Sequence, residues 1–118
     1  MEKKRSVKLS DIIMSVCTLY KASGETAVYL DNGWCVYASE EKIMPETICY
    51  IDDYPDFDEE DNEVYPDFVK ENNMELLYRD EMVQDVVMAC LNQKDNATIE
   101  EIVEALFYYD ENDNFLIL

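Results

Sequence analysis

The amino-acid sequence predicts an α+β fold, in which three main helices pack on a small antiparallel sheet. Two observations favour this class. Apolar residues recur at helical spacing in three segments, at residues 9–20, 83–90 and 99–107. Between the first two segments, short runs rich in Val, Ile, Tyr and Trp are separated by Asp, Asn, Gly and Pro. Such runs are typical of strands joined by turns.

The first predicted helix has an apolar stripe with residues three or four positions apart. The stripe consists of Leu9, Ile12, Ile13, Val16, Cys17 and Tyr20. Ser6 or Ser10 is a candidate N-cap, because a side-chain hydroxyl can accept a hydrogen bond from a free backbone N–H in the first turn. We expect the helix to end at Ser23-Gly24, since glycine suits the left-handed conformation that follows many helices.

Strands are expected in the middle of the chain. Residues 26–30 and 34–38 flank Asp31-Asn32-Gly33, which is typical of a hairpin turn because Asn and Gly tolerate positive φ. Residues 47–51 and 74–78 are predicted as further strands. Residues 66–71 are predicted as one helical turn with Pro66 at its first position.

Two helices are predicted near the C-terminus. Their apolar stripes are Val83, Val86, Val87 and Cys90 in the first, and Ile99, Ile102, Val103, Leu106 and Phe107 in the second. Asp80 is the expected cap of the first helix, and Thr98 with Glu101 forms a capping box in the second. The connection at 92–97 is short, so the helices should pair antiparallel. Residues 115–118 are all apolar and are expected against the sheet or in the core.

Length and composition indicate one domain spanning residues 1–118. The chain has 9 basic and 28 acidic residues, which gives a net charge of −19. Such a surface attracts basic proteins, and it disfavours direct contact with nucleic acid or an anionic membrane. Carboxylates in this number also serve solubility alone, so the charge by itself does not establish a partner.

The sequence offers little for catalysis or metal binding. It has no His, only two Gly, and no Cys-x-x-Cys pair. Asp56, Asp58 and Glu60 match the first, third and fifth positions of an EF-hand loop, but Asp61 and Asp67 stand where Gly and Glu are usual. We therefore expect no enzyme activity, no cofactor and no metal.

The cysteines and the N-terminal residues indicate a cytoplasmic protein. The four cysteines lie among apolar neighbours and are expected to be reduced and buried; they are Cys17, Cys35, Cys49 and Cys90. The charged residues 1–5 are not followed by the apolar stretch of a signal peptide, since Lys8 and Asp11 interrupt it.

The acidic run, residues 52–67, is the candidate recognition surface. It carries nine acidic residues and no Lys or Arg, and aromatic rings lie between them. Rings need a surface to pack on, so they either contact a partner or fasten the loop to the sheet. The candidate partner-binding residues are Asp52, Asp53, Tyr54, Asp56, Phe57, Asp58, Glu59, Glu60, Asp61, Glu63 and Tyr65. Tyr108, Tyr109 and Asp110 form a smaller acidic and aromatic cluster, which also fits an ordinary helix end.

The C-terminal part, about residues 70–118, resembles a small bacterial domain family of unknown biochemical function. The residues that carry the resemblance are Asp85-Val86-Val87, Thr98-Ile99-Glu100-Glu101, Ala105-Leu106, Tyr108-Tyr109, Asn112-Asp113 and Phe115. In size, acidity and predicted architecture the chain is also similar to immunity proteins of polymorphic-toxin and contact-dependent growth-inhibition systems. That resemblance implies binding to a cognate toxin domain, often a basic nuclease. It assigns no site residue.

The function expected from these observations is non-catalytic inhibition of a basic toxin through the acidic run. Two alternatives stay open. One is a phage or plasmid protein that mimics nucleic acid, such as an anti-CRISPR protein, and the other is a housekeeping interaction module. Carboxylates in rows spaced like duplex phosphates favour a mimic, whereas one compact patch favours a toxin inhibitor.

Overall fold

The computed structural model of the chain describes residues 1–40 and 42–118. In chain order its elements are β1 (Arg5–Lys8), α1 (Leu9–Leu30), β2 (Cys35–Ala38), β3 (Ile48–Asp52), β4 (Asp56–Phe57), β5 (Glu63–Val64), α2 (Asp67–Glu71), β6 (Glu75–Arg79), α3 (Asp80–Gln93) and α4 (Ile99–Asn112). Strands β1, β3, β2 and β6 lie side by side in that order and pair antiparallel, and β4 pairs with β5 separately. The predicted α+β class is confirmed, because α1, α3 and α4 pack on this small antiparallel sheet.

Both faces of the four-stranded sheet are covered. Side chains alternate along a strand, so Val36 and Ala38 of β2 face the helices while Cys35 and Tyr37 face the other way. The helical side forms the main core, which contains Trp34 and most of the buried residues of α1, α3 and α4. On the opposite side, the chain between β3 and β6 lies over the sheet, and Val69 of α2 is fully buried there. The acidic run therefore belongs to the cover of the second face.

Helix α1 consists of two helical segments that meet at Gly24. The predicted break at Ser23-Gly24 is confirmed, since Gly24 has φ 86° and ψ −178°, which are not helical values. The strand predicted for residues 26–30 is wrong, because a second helical segment follows the break. This segment buries Val28 in the core. The β-branched and aromatic content of this segment favours a strand locally, but packing of Val28 outweighs that weak preference.

The hairpin predicted around Asp31-Asn32-Gly33 is also wrong. These residues join α1 to β2, with Gly33 at φ 83° and the indole Nε1 of Trp34 donating a hydrogen bond to the carbonyl of Asp31 at 2.7 Å. The fourth strand of the sheet is instead β1, which pairs with β3 in the register Arg5 with Ile51. A charged four-residue strand has no recognisable period, so only its partner strand identifies it.

Most other elements agree with the prediction. β3, α2 and β6 lie within one residue of the predicted segments, and α3 packs against α4. The capping box of Thr98 and Glu101 is confirmed. Neither Ser6 nor Ser10 caps α1, whose cap position is Lys8 and lacks a side-chain hydrogen bond. Asp80 is the first residue of α3 and not its cap, which is Arg79.

The C-terminal part differs from expectation in its apolar side chains. Ile117 is 88% exposed, and Phe107 also faces out. Contrary to the prediction, neither side chain lies in the core. Leu116 packs against the main core. The side chain of Gln93 holds the tail in place, with hydrogen bonds of 3.0 Å to the carbonyl of Leu116 and from the N–H of Leu118. Within the described residues no helix is long and apolar enough to cross a membrane.

All four cysteines are free and buried, as predicted. Burial raises the pKa of the Cys35 and Cys49 thiols to about 12 and that of Cys90 to about 11. Burial also raises the pKa of Cys17. Because the thiolate is the nucleophile, these thiols should be inert in the folded protein.

Replacing Gly24 should destabilise the protein through the backbone alone. The φ and ψ values of Gly24 lie in a region that is essentially restricted to glycine, whereas a Cβ there would have nothing within 4 Å. We expect Gly24→Ala to lower the free energy of unfolding by about 1–3 kcal/mol in urea titrations. Ser23→Ala, at the exposed neighbouring position, should change it by less than about 0.5 kcal/mol. Equal stability of the two variants would show that residue 24 does not need a backbone conformation restricted to glycine.

Thiol accessibility tests the burial of the cysteines. At pH 8 a thiol-reactive dye should label none of the four rapidly in the native protein, because raised pKa values leave almost no thiolate and burial blocks access. All four should react in denaturant. Rapid labelling of one thiol in the native protein would show that this cysteine is not buried. Detection of a disulfide in the intact protein would show that the cysteines are not all free.

Candidate functional site

The acidic run folds into a hairpin whose turn is built by Asp58. The Asp58 carboxylate accepts hydrogen bonds from the N–H groups of Glu60 and Asn62, both at 2.9 Å. The backbone N–H of Asp58 in turn donates to the carbonyl of Asn62 at 3.0 Å. The backbone hydrogen bond from Asn62, with that from Glu60, lowers the pKa of Asp58 below its ordinary value. Asp58 is thus a structural carboxylate, and the turn holds Glu59, Glu60 and Asp61 exposed.

Two aromatic contacts fasten this segment to the second face of the sheet. The ring of Tyr65 packs edge-on against Tyr37, with centroids 5.6 Å apart, and the ring of Phe68 stacks on Tyr50 at 4.2 Å. Phe57 is different, because its side chain is 62% exposed on β4. The rings of the acidic run therefore divide into fastening rings and one presented ring.

Tyr54 connects the start of the hairpin to α3. Its hydroxyl donates a hydrogen bond to the carboxylate of Asp80, and the guanidinium of Arg79 lies 5.2 Å from the centroid of its ring. Burial and the hydrogen bond to Asp80 raise the pKa of Tyr54 well above its ordinary value. Although Tyr54 is 40% exposed, its hydroxyl is committed to the fold.

The first two candidate residues are less available than the sequence suggests. Asp52 is buried, and its Oδ1 accepts a hydrogen bond from the N–H of Asp53 at 2.7 Å. The carboxylate of Asp53 forms an ion pair of 2.7 Å with Lys3. Among the predicted partner-binding residues, six have exposed side chains that make no hydrogen bond or ion pair within the described residues; they are Asp56, Phe57, Glu59, Glu60, Asp61 and Glu63.

The buried carboxylate of Asp80 joins the start of the hairpin to the rest of the fold. The sequence predicted only that Asp80 caps a helix. Asp80 is 1% exposed, and its carboxylate accepts hydrogen bonds from the N–H groups of Gly33 at 2.6 Å and Glu81 at 2.8 Å, besides the hydroxyl of Tyr54. A second tyrosine, Tyr29 of α1, donates to a further carboxylate of α3. The helical spacing of acidic residues at the start of α3 was the available signal, but the tyrosines that meet it come from distant parts of the chain.

The calcium-like spacing in the acidic run has no converging ligand set. Across residues 1–40 and 42–118, no three His, Cys, Asp or Glu side chains are grouped so that they could hold a metal ion. The Oδ1 of Asp58, which matched the third ligand position, instead accepts the backbone hydrogen bonds of the turn.

Fold and site together define an acidic α+β domain that presents a short hairpin from one covered face of its sheet. The chain belongs to a family described as a domain of unknown function (DUF7716), whose model matches residues 17–118. The matched region begins inside α1 and contains every residue of the hairpin. No curated protein and no solved structure matches the chain. The family description assigns no activity, so the resemblance to immunity proteins stays a prediction.

The two kinds of ring can be separated by measuring stability. Tyr54→Phe removes a hydrogen bond to a buried carboxylate and should lower the free energy of unfolding by about 1.5 kcal/mol. Phe57→Ala should change it by less than about 0.5 kcal/mol, since the ring is mostly exposed. Urea titration monitored by circular dichroism gives both values. A larger loss for Phe57→Ala would show that Phe57 is a fastening ring.

Proposed function

We propose that this protein is a non-catalytic inhibitor that binds a basic protein through hairpin β4–β5, and that its partner is a toxin domain of the kind that immunity proteins neutralise. One observation carries the proposal. The hairpin presents an exposed phenylalanine, Phe57, among exposed carboxylates, and its base is fastened to the sheet by Tyr65. No contact with nucleic acid or a membrane is part of the proposed function.

The arrangement suits rapid and specific association. Carboxylates at a rim steer a basic partner during diffusional encounter, and a ring that enters a partner pocket supplies affinity once the surfaces meet. A fastened hairpin loses little conformational freedom on binding, which leaves more of the interaction energy for affinity. The short strands Asp56–Phe57 and Glu63–Val64 also place the carboxylates in one compact patch. A compact patch supports inhibition of a protein over mimicry of a nucleic-acid duplex.

The hairpin geometry determines which carboxylates to change in a test. Asp58 must stay, because its replacement would open the turn. The charge variant is therefore Asp56→Asn, Glu59→Gln, Glu60→Gln and Asp61→Asn. A matched control with the same charge change carries Asp95→Asn just before α4 and Glu100→Gln, Glu104→Gln and Glu111→Gln on its exposed side. Relieving repulsion should leave both variants at least as stable as the parent protein.

Co-expression with neighbouring genes tests the function. We expect one gene beside this one to encode a basic protein that stops bacterial growth, and this chain to restore growth. The hairpin variant should bind that protein with a slower, less salt-dependent association rate constant, whereas the α4 control should differ little. Phe57→Ala should raise the dissociation rate constant about 30-fold, which corresponds to about 2 kcal/mol.

Each of three results would overturn the proposed inhibition or the proposed place of the interface. The neighbouring products could all be harmless, the chain could fail to protect against a toxic one, or the hairpin variant could bind with unchanged rate and salt dependence. The last result would leave inhibition intact but would place the interface away from the hairpin.

A further inference from the structure

One face of α3 forms the floor of a groove that lies beside the acidic run and shares only Tyr54 with it. Positions 80, 81, 84, 85, 88, 89 and 92 of α3 share this face, as their spacing by one, three and four residues requires. At a rise of 1.5 Å per residue, the twelve steps from position 80 to 92 extend over about 18 Å. We call this feature the α3 groove.

Three tyrosines stand along the α3 groove and donate hydrogen bonds to its floor. The hydroxyl of Tyr54 donates to Asp80, that of Tyr29 to Asp85, and that of Tyr20 to Asn92. These tyrosines come from α1 and from the start of the hairpin, so tertiary structure alone brings them into one row.

The tyrosine rings divide the groove into neighbouring clefts. Tyr29 lines both the cleft that contains Asp85 and the cleft that contains Asp80 and Glu81. Tyr54 lines the second of these and also a third cleft at the base of the hairpin, beside Asp56. The row of clefts therefore reaches the hairpin surface, and a single partner can contact both.

The groove is acidic throughout. Glu25, Asp80, Glu81 and Asp85 line its two clefts along α3, and no Lys or Arg of the described residues does. The hydrogen bond to Asp85, burial and the nearby charges of Glu25 and Glu81 raise the pKa of Tyr29 to about 12. The same negative potential favours a cation that enters the groove.

The side chain of Gln84 is a second, independent observation that points to a ligand in the groove. It lines the cleft between Tyr29 and Tyr54 and is 1% exposed. Its Nε2 donates to the carbonyls of Val28 and Asp31, both at 2.8 Å, whereas its buried Oε1 has no hydrogen-bond partner among the described residues. A buried acceptor normally has a donor, so the cleft is suited to a ligand that carries N–H groups.

We propose that the α3 groove binds an extended basic segment of a protein partner, with Arg or Lys side chains between the tyrosines and against the carboxylates. An extended chain rises about 3.3 Å per residue, so about five or six residues span the groove. Arg79 already places its guanidinium over the ring of Tyr54, which is the contact that a partner arginine would make with Tyr29. The inference rests on the proposed function, since it gives the same basic partner a second contact surface.

Binding of a defined peptide to the full chain tests the groove. The probe is a fluorescein-labelled peptide of alternating serine and arginine, seven residues long, and its reference has citrulline in place of arginine. Fluorescence polarisation is measured at about 150 mM NaCl, where long-range attraction is largely screened. We expect the arginine peptide to bind at least about tenfold more tightly than the citrulline peptide, because charge complementarity recognises the guanidinium.

Two charge-matched variants locate the site. The groove variant carries Glu25→Gln, Glu81→Gln and Asp85→Asn, and its control carries Glu100→Gln, Glu104→Gln and Glu111→Gln on α4. The groove variant should weaken peptide binding at least about tenfold and the control less than about twofold. If the groove variant does not fold, Glu81→Lys at an exposed position gives the same comparison.

The outcomes separate the groove from the hairpin. Equal weakening by the groove and α4 variants would mean that net charge alone holds the peptide, and the groove would be rejected. No binding to the parent chain below about 1 mM would reject it as well. Loss of peptide binding in the hairpin variant alone would place the basic segment on the hairpin. Conversely, loss in the groove variant together with unimpaired toxin inhibition by the hairpin variant would retain the groove and reject the hairpin.

Discussion

The hydrogen bonds to the buried carboxylate of Asp80 hold together the end of the molecule that carries both proposed binding surfaces. It accepts hydrogen bonds from the turn before β2, through Gly33, from the start of α3, through Glu81, and from the hairpin segment, through Tyr54. Its own N–H donates to the carbonyl of Trp34 at 3.1 Å. A buried carboxylate without such donors would be strongly unfavourable, so these three parts of the chain must meet together. Both proposed binding surfaces border this point.

The sequence predicted those parts of the fold in which local pattern and tertiary packing agree. The stripe of α3, the stripe of α4 except Phe107, and the capping box at Thr98 are such cases. It failed after Gly24, where β-forming residues occupy a helix because Val28 reaches the core. It also missed β1, since a short charged strand is identified only by its pairing with β3.

The sequence identified the residues of the candidate site, but it did not show which role each of them has. The acidic run and its rings were visible in the chain, yet only the structure separates the turn-building Asp58 and the buried Asp52 from the exposed carboxylates. The α3 groove was not predictable at all. Its tyrosines are Tyr20, Tyr29 and Tyr54, and nothing local in the sequence relates them to a helix that begins at Asp80. Long-range hydrogen bonds of this kind carry no short-range signal.

The unequal covering of the sheet has a consequence for motion. The helical face is closed by three helices and a large apolar core, whereas the second face is closed by a five-residue helix, one fully buried valine, Val69, and a few aromatic contacts. Segments with few buried apolar contacts open at lower free energy than the molecule as a whole. The cover should therefore detach as a cooperative unit while the helical layer stays intact, and its amide hydrogens should exchange with solvent first. A partner that holds the hairpin would suppress this opening and so stabilise the side of the molecule that is weakest by itself.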